Sequence, residues 1–344
     1  FPTGGPSTLN ELVWKFKTEA KIISSPVISD SMIYFGSSHL YAVDLETGRE
    51  KWKFDTDGYV ISSPAISDSV VYFGSTDEHL YALDSKTGQE KWRFKTEGKV
   101  KSSPAISDTV IYFGSTDEYL YALDSKTGQE KWRFKTEGAV NSSPAISNGV
   151  VYVGSDNGHI YLEKGNVRTV FKVISHDGHL YAVDSETGRE KWRFKTVKQV
   201  SSSPAILDGV VYVGSWNHRL YAINSKTGQE KWNFSTEGAI SSSPAILDSM
   251  VYVGSWDNRL YSVDSKTGQE KWRFKTYGEV NSSPAISGGI VYFGSLDGRL
   301  YAVDIKTGQK KWEFKIEAEI SSSPAVSGGM VYFGSWDGFL YALK

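Results

Sequence analysis

The chain has 344 residues, 39% of them hydrophobic and 14% aromatic, enough for a packed interior. Its 38 basic and 40 acidic residues are interspersed and nearly cancel, so it carries no basic field for a phosphate backbone, and nucleic acid is excluded as a partner. Cysteine is absent, which removes disulfides, thiolate metal sites and cysteine nucleophiles, and no apolar run reaches the roughly 18 residues of a membrane-spanning helix.

Residues 1–10 show no periodicity and lack the charged and apolar regions of a signal peptide; they are expected to form a flexible N-terminal segment. Residues 11–17 (ELVWKFK) follow as an isolated strand-like run around Trp14. From there a single unit repeats to the end, so residues 11–344 are read as one domain. The triplet Ser-Ser-Pro ends at Pro26, Pro64, Pro104, Pro144, Pro204, Pro244, Pro284 and Pro324, spacings of 38, 40, 40, 60, 40, 40 and 40 residues. A two-residue deletion explains the first interval, at Gly36-Ser37-Ser38-His39-Leu40. A 20-residue insertion explains the fourth, where Asp156 to Tyr161 is echoed by His176 to Tyr181.

Within one unit, Ser62–Ser67, Val70–Ser75, His79–Asp84 and Lys91–Thr96 are short runs rich in β-branched and aromatic residues, each closed by turn residues. Four antiparallel strands in 40 residues make a propeller blade. Proline has no N–H to give a ladder, so the Ser-Ser-Pro strand is an edge strand and is placed at the axial channel. Seven units run complete from proline to tryptophan, and the eighth has three strands from Ser322 to Leu343. Residues 11–17 supply its fourth, closing an all-β eight-bladed ring as a monomer; the alternative is that Trp14 completes a neighbouring molecule. The insertion, about residues 162–180, is expected to form an extra hairpin around Lys164-Gly165-Asn166, protruding from blade four or widening it.

The element A-x-D-x-x-x-G-x-x-x-W recurs at Ala42–Trp52, Ala82–Trp92, Ala122–Trp132, Ala182–Trp192, Ala222–Trp232, Ser262–Trp272 and Ala302–Trp312, with Asn224 for Asp and Ser262 for Ala as small departures. It resembles the tryptophan-docking motif of pyrroloquinoline-quinone-type eight-bladed propellers over essentially the whole chain. The resemblance implies that each tryptophan packs on the glycine turn of a neighbouring blade, burying roughly 150–250 Å² of indole. Such propellers include quinone-dependent dehydrogenases, whose long insertions build a pocket with calcium held by Glu, Asn and Asp, a catalytic Asp and often a vicinal disulfide. They also include non-catalytic members such as the propeller lipoprotein of the outer-membrane β-barrel assembly machinery. None of the dehydrogenase features maps onto these residues, so no cofactor is assigned.

Three tryptophans lie outside the motif. Trp216, Trp256 and Trp336, with Leu296, follow the Gly-Ser that ends the second strand of blades five to eight, where blades one to four carry Ser38, Thr76, Thr116 and Asp156. They form a candidate binding patch on the face shared by the blade-to-blade linkers; the alternative is that each indole folds over its own core. A second candidate is the channel ring Ile23, Ile61, Lys101, Asn141, Ser201, Ser241, Asn281 and Ser321, which holds no carboxylate or histidine. His176 and His179, near His159, lack the spacing that dictates a third metal ligand, so no metal is assigned. The chain is thus expected to be a non-enzymatic protein-interaction scaffold, located outside the cytoplasm. A quinone-dependent dehydrogenase and a carbohydrate-binding propeller are the alternatives.

Overall fold

The computed structural model describes residues 5, 6, 8, 11–156, 159–164, 169–174 and 178–344, with side chains for all of these except 159–174. Eight four-stranded antiparallel sheets follow one another along the chain. Blade two is representative, with strands Ala65–Ser67, Val70–Gly74, His79–Asp84 and Glu90–Lys95. Blade eight combines Ala325–Ser327, Met330–Gly334 and Phe339–Leu343 with the N-terminal strand Leu12–Lys17. Trp14 pairs with Ala342 and Lys15 with Tyr341, while Glu11 and Lys344 exchange backbone bonds of 3.0 Å, so the ring is closed within one molecule.

The two middle strands of each blade are buried on both faces because a neighbouring sheet covers each side. The outer strand alternates between exposed and half-buried residues, as a strand with one covered face should. Between blades two and three the two faces meet as Tyr72, Leu80, Ala82 and Val100 against Ile111, Phe113, Tyr121 and Leu123, and equivalent clusters fill the other interfaces. The innermost strands touch one another in sequence from blade two round to blade eight and on to blade one, and the Ser25 N–H reaches Ser63 Oγ across the remaining seam, which places the proline edge at the axis.

That first strand is shorter than the sequence implies. The run expected to be a strand from Ser62 is one only from Ala65, because Ser-Ser-Pro is bonded by side chains instead of a ladder. Ser62 Oγ accepts the Gly74 N–H at 2.8 Å, pinning the segment to its own blade. The N–H of the second serine goes to the hydroxyl of its counterpart in the next blade: Ser25 to Ser63, then on through Ser103, Ser143, Ser203, Ser243, Ser283 and Ser323, and back to Ser25. These eight bonds measure 2.8–3.1 Å and form a closed circle around the channel.

The docking motif explains the outer seam. Asp84 Oδ1 accepts the N–H groups of Lys86 and Thr87 and the Thr87 hydroxyl, which tightens the turn so that Gly88 reaches φ +72°. A β-carbon on Gly88 would lie 2.7 Å from Trp52 of the preceding blade, so the flat ring and a bare backbone are matched. The indole N–H of Trp52 then donates to the Ser85 carbonyl at 3.0 Å, and Tyr34 donates its hydroxyl to the same oxygen at 3.1 Å. Hydrogen bonding holds the turn carboxylates below their usual range: Asp44, chiefly through the Thr47 hydroxyl, to about 2. Asp304 also drops to about 2, chiefly through the Thr307 N–H. Asn224 keeps the two backbone bonds, at 2.9 and 3.0 Å, so the departure from Asp costs no turn geometry.

The insertion in blade four corrects the expected span of 162–180. The second strand, Val150–Asp156, runs directly into register with Gly178–Asp184, so the extra segment begins at residue 157 and ends at 177. Its strands His159–Lys164 and Thr169–Ile174 form a separate two-stranded sheet, so blade four is not widened. The anticipated turn at Gly165-Asn166 lies outside the described residues.

Candidate functional site

The loops between second and third strands are rigid platforms. In blade two Asp77 accepts the His79 N–H on Oδ1 at 3.1 Å and the Tyr81 hydroxyl on Oδ2 at 2.9 Å. The same carboxylate-to-tyrosine bond recurs as Asp117–Tyr121, Asp257–Tyr261, Asp297–Tyr301 and Asp337–Tyr341, at 2.6–2.7 Å. Burial, followed by this bond, pushes the Tyr81 hydroxyl far above its ordinary range, so it stays a donor. The residue just before the Asp, or before Asn217 in blade five, is also tied to the linker entering its blade: Trp216 N–H to the Gln199 carbonyl, Trp256 to Ala239, Leu296 to Glu279 and Trp336 to Glu319. Loops and linkers therefore share one face, as the sequence implied.

On that face the four candidate residues fall into two pairs. The Trp216 and Trp256 rings lie 4.7 Å apart between centroids and both are half-buried. Leu296 and Trp336 line a common open cleft of about 610 Å³ with Tyr277, Arg299, Ile316 and Glu319. Trp336 is 39% exposed and Tyr277 80%, unusual for large aromatic rings in a folded chain. Lys21 sits 4.1 Å over the Trp336 ring, and the Arg299 guanidinium 5.1 Å over Tyr277. Tyr277 stands where five other linkers carry glutamate, one Asp57 and one Val197, and sequence reasoning overlooked it; the signal was the single aromatic at that position.

The patch and the channel ring, separate in the sequence, are one feature in space. The Trp256 indole donates to Ser241 Oγ at 2.9 Å, and Trp336 to Ser321 Oγ at 2.8 Å, so both rings lean on residues that open the axial channel. Ser241 in turn donates to Asn281 Oδ1 at 3.4 Å. The Trp216 Nε1 and Asn141 Oδ1 atoms are buried with no partner.

The histidine group is not brought together by anything described. His179 is buried at 3.7 Å from Glu137. His176 and the His159 side chain lie outside the described residues. Among the described residues no group of three or more His, Cys, Asp or Glu is placed to hold a metal. The channel ring offers hydroxyl, amide, aliphatic and one lysine side chain, and five loop carboxylates are engaged by tyrosines.

Fold and seam together define a closed eight-bladed propeller with tryptophan-docked blades. A family model described as outer membrane protein assembly factor BamB matches residues 10–104, 87–169 and 176–344, and the chain belongs to that PQQ-like propeller family. No curated protein sequence matches it. Among solved structures it is similar to BamB from Moraxella catarrhalis (17% identity, TM-score 0.78), covering 97% of each chain. It is similar also to the computationally designed Ika8 protein (18%, 0.82), covering 97% of this chain and 100% of that one. A third is the quinohemoprotein alcohol dehydrogenase from Comamonas testosteroni (17%, 0.78), covering 97% and 76%. At these identities the likeness establishes the fold alone.

Proposed function

We propose that this propeller is a non-catalytic protein-binding platform that works outside the cytoplasm, as the name of its family implies for an assembly factor of outer membrane proteins. The observation that carries the reading is the asymmetry of one face. Blades five to eight present Trp216, Trp256, Leu296 and Trp336, with exposed Tyr277, where blades one to four present small or polar residues. Exposed aromatic rings on rigid loops resemble the anchors that dominate protein interfaces. Arg299 and Glu319 at the cleft supply a charged rim.

The test compares the protein with its Trp216→Ser/Trp256→Ser/Trp336→Ser variant as bait for extracytoplasmic proteins of the native organism. Capture by the parent and loss by the variant, at matched melting temperature, supports the platform. Unchanged capture removes it. Incubation with the quinone and calcium, followed by dye reduction with alcohols or glucose, checks the dehydrogenase alternative. Turnover there would overturn the non-catalytic assignment.

A further inference from the structure

Seven of the eight docking tryptophans meet a turn that joins the third and fourth strands of the next blade. Trp312 of blade seven cannot, because blade eight takes its third strand from Phe339–Leu343 and its fourth from Leu12–Lys17, with no loop between them. Its indole donates instead to the carbonyl of Pro6 at 3.1 Å, and Tyr292 gives its hydroxyl to that same oxygen at 2.9 Å. This reproduces the pair of bonds that Trp52 and Tyr34 make to Ser85. Pro6 is buried, and Trp312 is only 7% exposed, whereas the other docking tryptophans are half-buried. The preceding residue is confined too. A β-carbon on Gly5 would lie 2.7 Å from both the Tyr292 hydroxyl oxygen and Val326 Cγ1.

We infer that the slot made by Tyr292, Trp312 and Val326 is a binding site for an extended Gly-Pro segment, filled here by Gly5–Pro6 and open to the same segment of a second copy of this chain. Three features set its chemistry. Two converging donors recognise one main-chain carbonyl. The wall at Tyr292 and Val326 admits only glycine before it. Proline at the carbonyl residue brings no N–H that would be left unpaired in the buried slot. In the other seven interfaces the accepting turn is part of a sheet that the blade itself holds. Here the acceptor hangs on a segment separate from the blade-eight strand, so it can leave without unravelling a sheet.

The experiment uses the full chain with Gly5→Val, which evicts the resident segment, and a fluorescein-labelled peptide of residues 1–8 read by anisotropy. The variant should bind the peptide saturably and about tenfold or more tighter than the parent, whose slot is filled, because one lost main-chain recognition is worth about that factor. The same peptide carrying Gly5→Val should not compete, and adding Trp312→Phe to the variant should weaken binding again. Equal binding by parent and variant, no binding by a folded variant, or equal competition by the altered peptide overturns the proposal. Should the variant fail to fold, the parent is titrated with excess unlabelled peptide while its indole N–H resonances are followed. The resonance missing from Trp312→Phe should alone broaden or shift through exchange, and a static resonance overturns the proposal equally.

Discussion

The double use of one carbonyl at each blade interface makes a sharp prediction about non-additivity. Between blades two and three, Trp92 donates to the Ser125 carbonyl at 3.2 Å and Tyr72 at 3.1 Å, with the two rings 5.8 Å apart. Trp92→Phe or Tyr72→Phe alone removes one donor but leaves the oxygen partnered, so each hydrogen-bond loss costs about 1 kcal/mol. Removing both orphans a buried carbonyl, which adds a further 1–3 kcal/mol, approximately, beyond the sum. Unfolding entropy of about 2.1 cal/mol/K per residue, over 344 residues, makes 1 kcal/mol worth about 1.4 °C. Each single change should thus lower the melting temperature by one to two degrees from its hydrogen bond, approximately, and the pair by about four to seven. Differential scanning calorimetry on the four members of the cycle reads this directly, and the smaller ring of Phe cancels between its two arms. Strict additivity would show that solvent or the neighbouring backbone satisfies the Ser125 carbonyl, and the shared-acceptor account would be refuted.

Gly128→Ala, at φ +70° with Trp92 2.7 Å from the new β-carbon, should destabilise more than Gly328→Ala, at φ +58° with nothing within 4 Å. The second change carries only the left-handed backbone cost of about 1–2 kcal/mol, and equal melting points for the two variants would dismiss the indole contact. Ser103→Ala breaks the inner circle by removing the acceptor of the Ser63 N–H, and should cost about 1–3 kcal/mol and raise amide exchange at Ser63. The turn carboxylates of Asp44 and Asp304 sit at about 2, below the ordinary 3.8. Their contribution is present above pH 4, approximately, and is lost as pH falls toward 2, because the unfolded chain then binds protons more readily. Asp44→Asn, which can keep the backbone bonds as Asn224 does, should flatten its share of that decline in urea titrations at pH 2–4.

Much of the ring was legible because a 40-residue period carries its own count. The interval between prolines, the glycine-to-tryptophan spacing and the strand-like run at Trp14 fixed blade number and closure. What escaped was everything decided by bonds that cross between blades without a periodic mark. Ser-Ser-Pro read as strand because its residues tolerate one, yet its polar groups are spent on the end of its own second strand and on the adjoining blade. No pattern in the sequence distinguishes Pro6 from any other proline, and its place under Trp312 follows only once the missing turn is seen in three dimensions. That Trp256 and Trp336 lean toward Ser241 and Ser321 depends on rotamers, and Tyr277 joins Leu296 and Trp336 only by proximity in space.

Every link in the serine circle points the same way, from the amide of one unit to the hydroxyl of its successor. A directed loop has no loose end at which a fault could be absorbed, so a unit that tilts strains the contacts on its left and right at once. That inner circle, built from one of the smallest side chains, is where a copy gained or lost in duplication would be felt first.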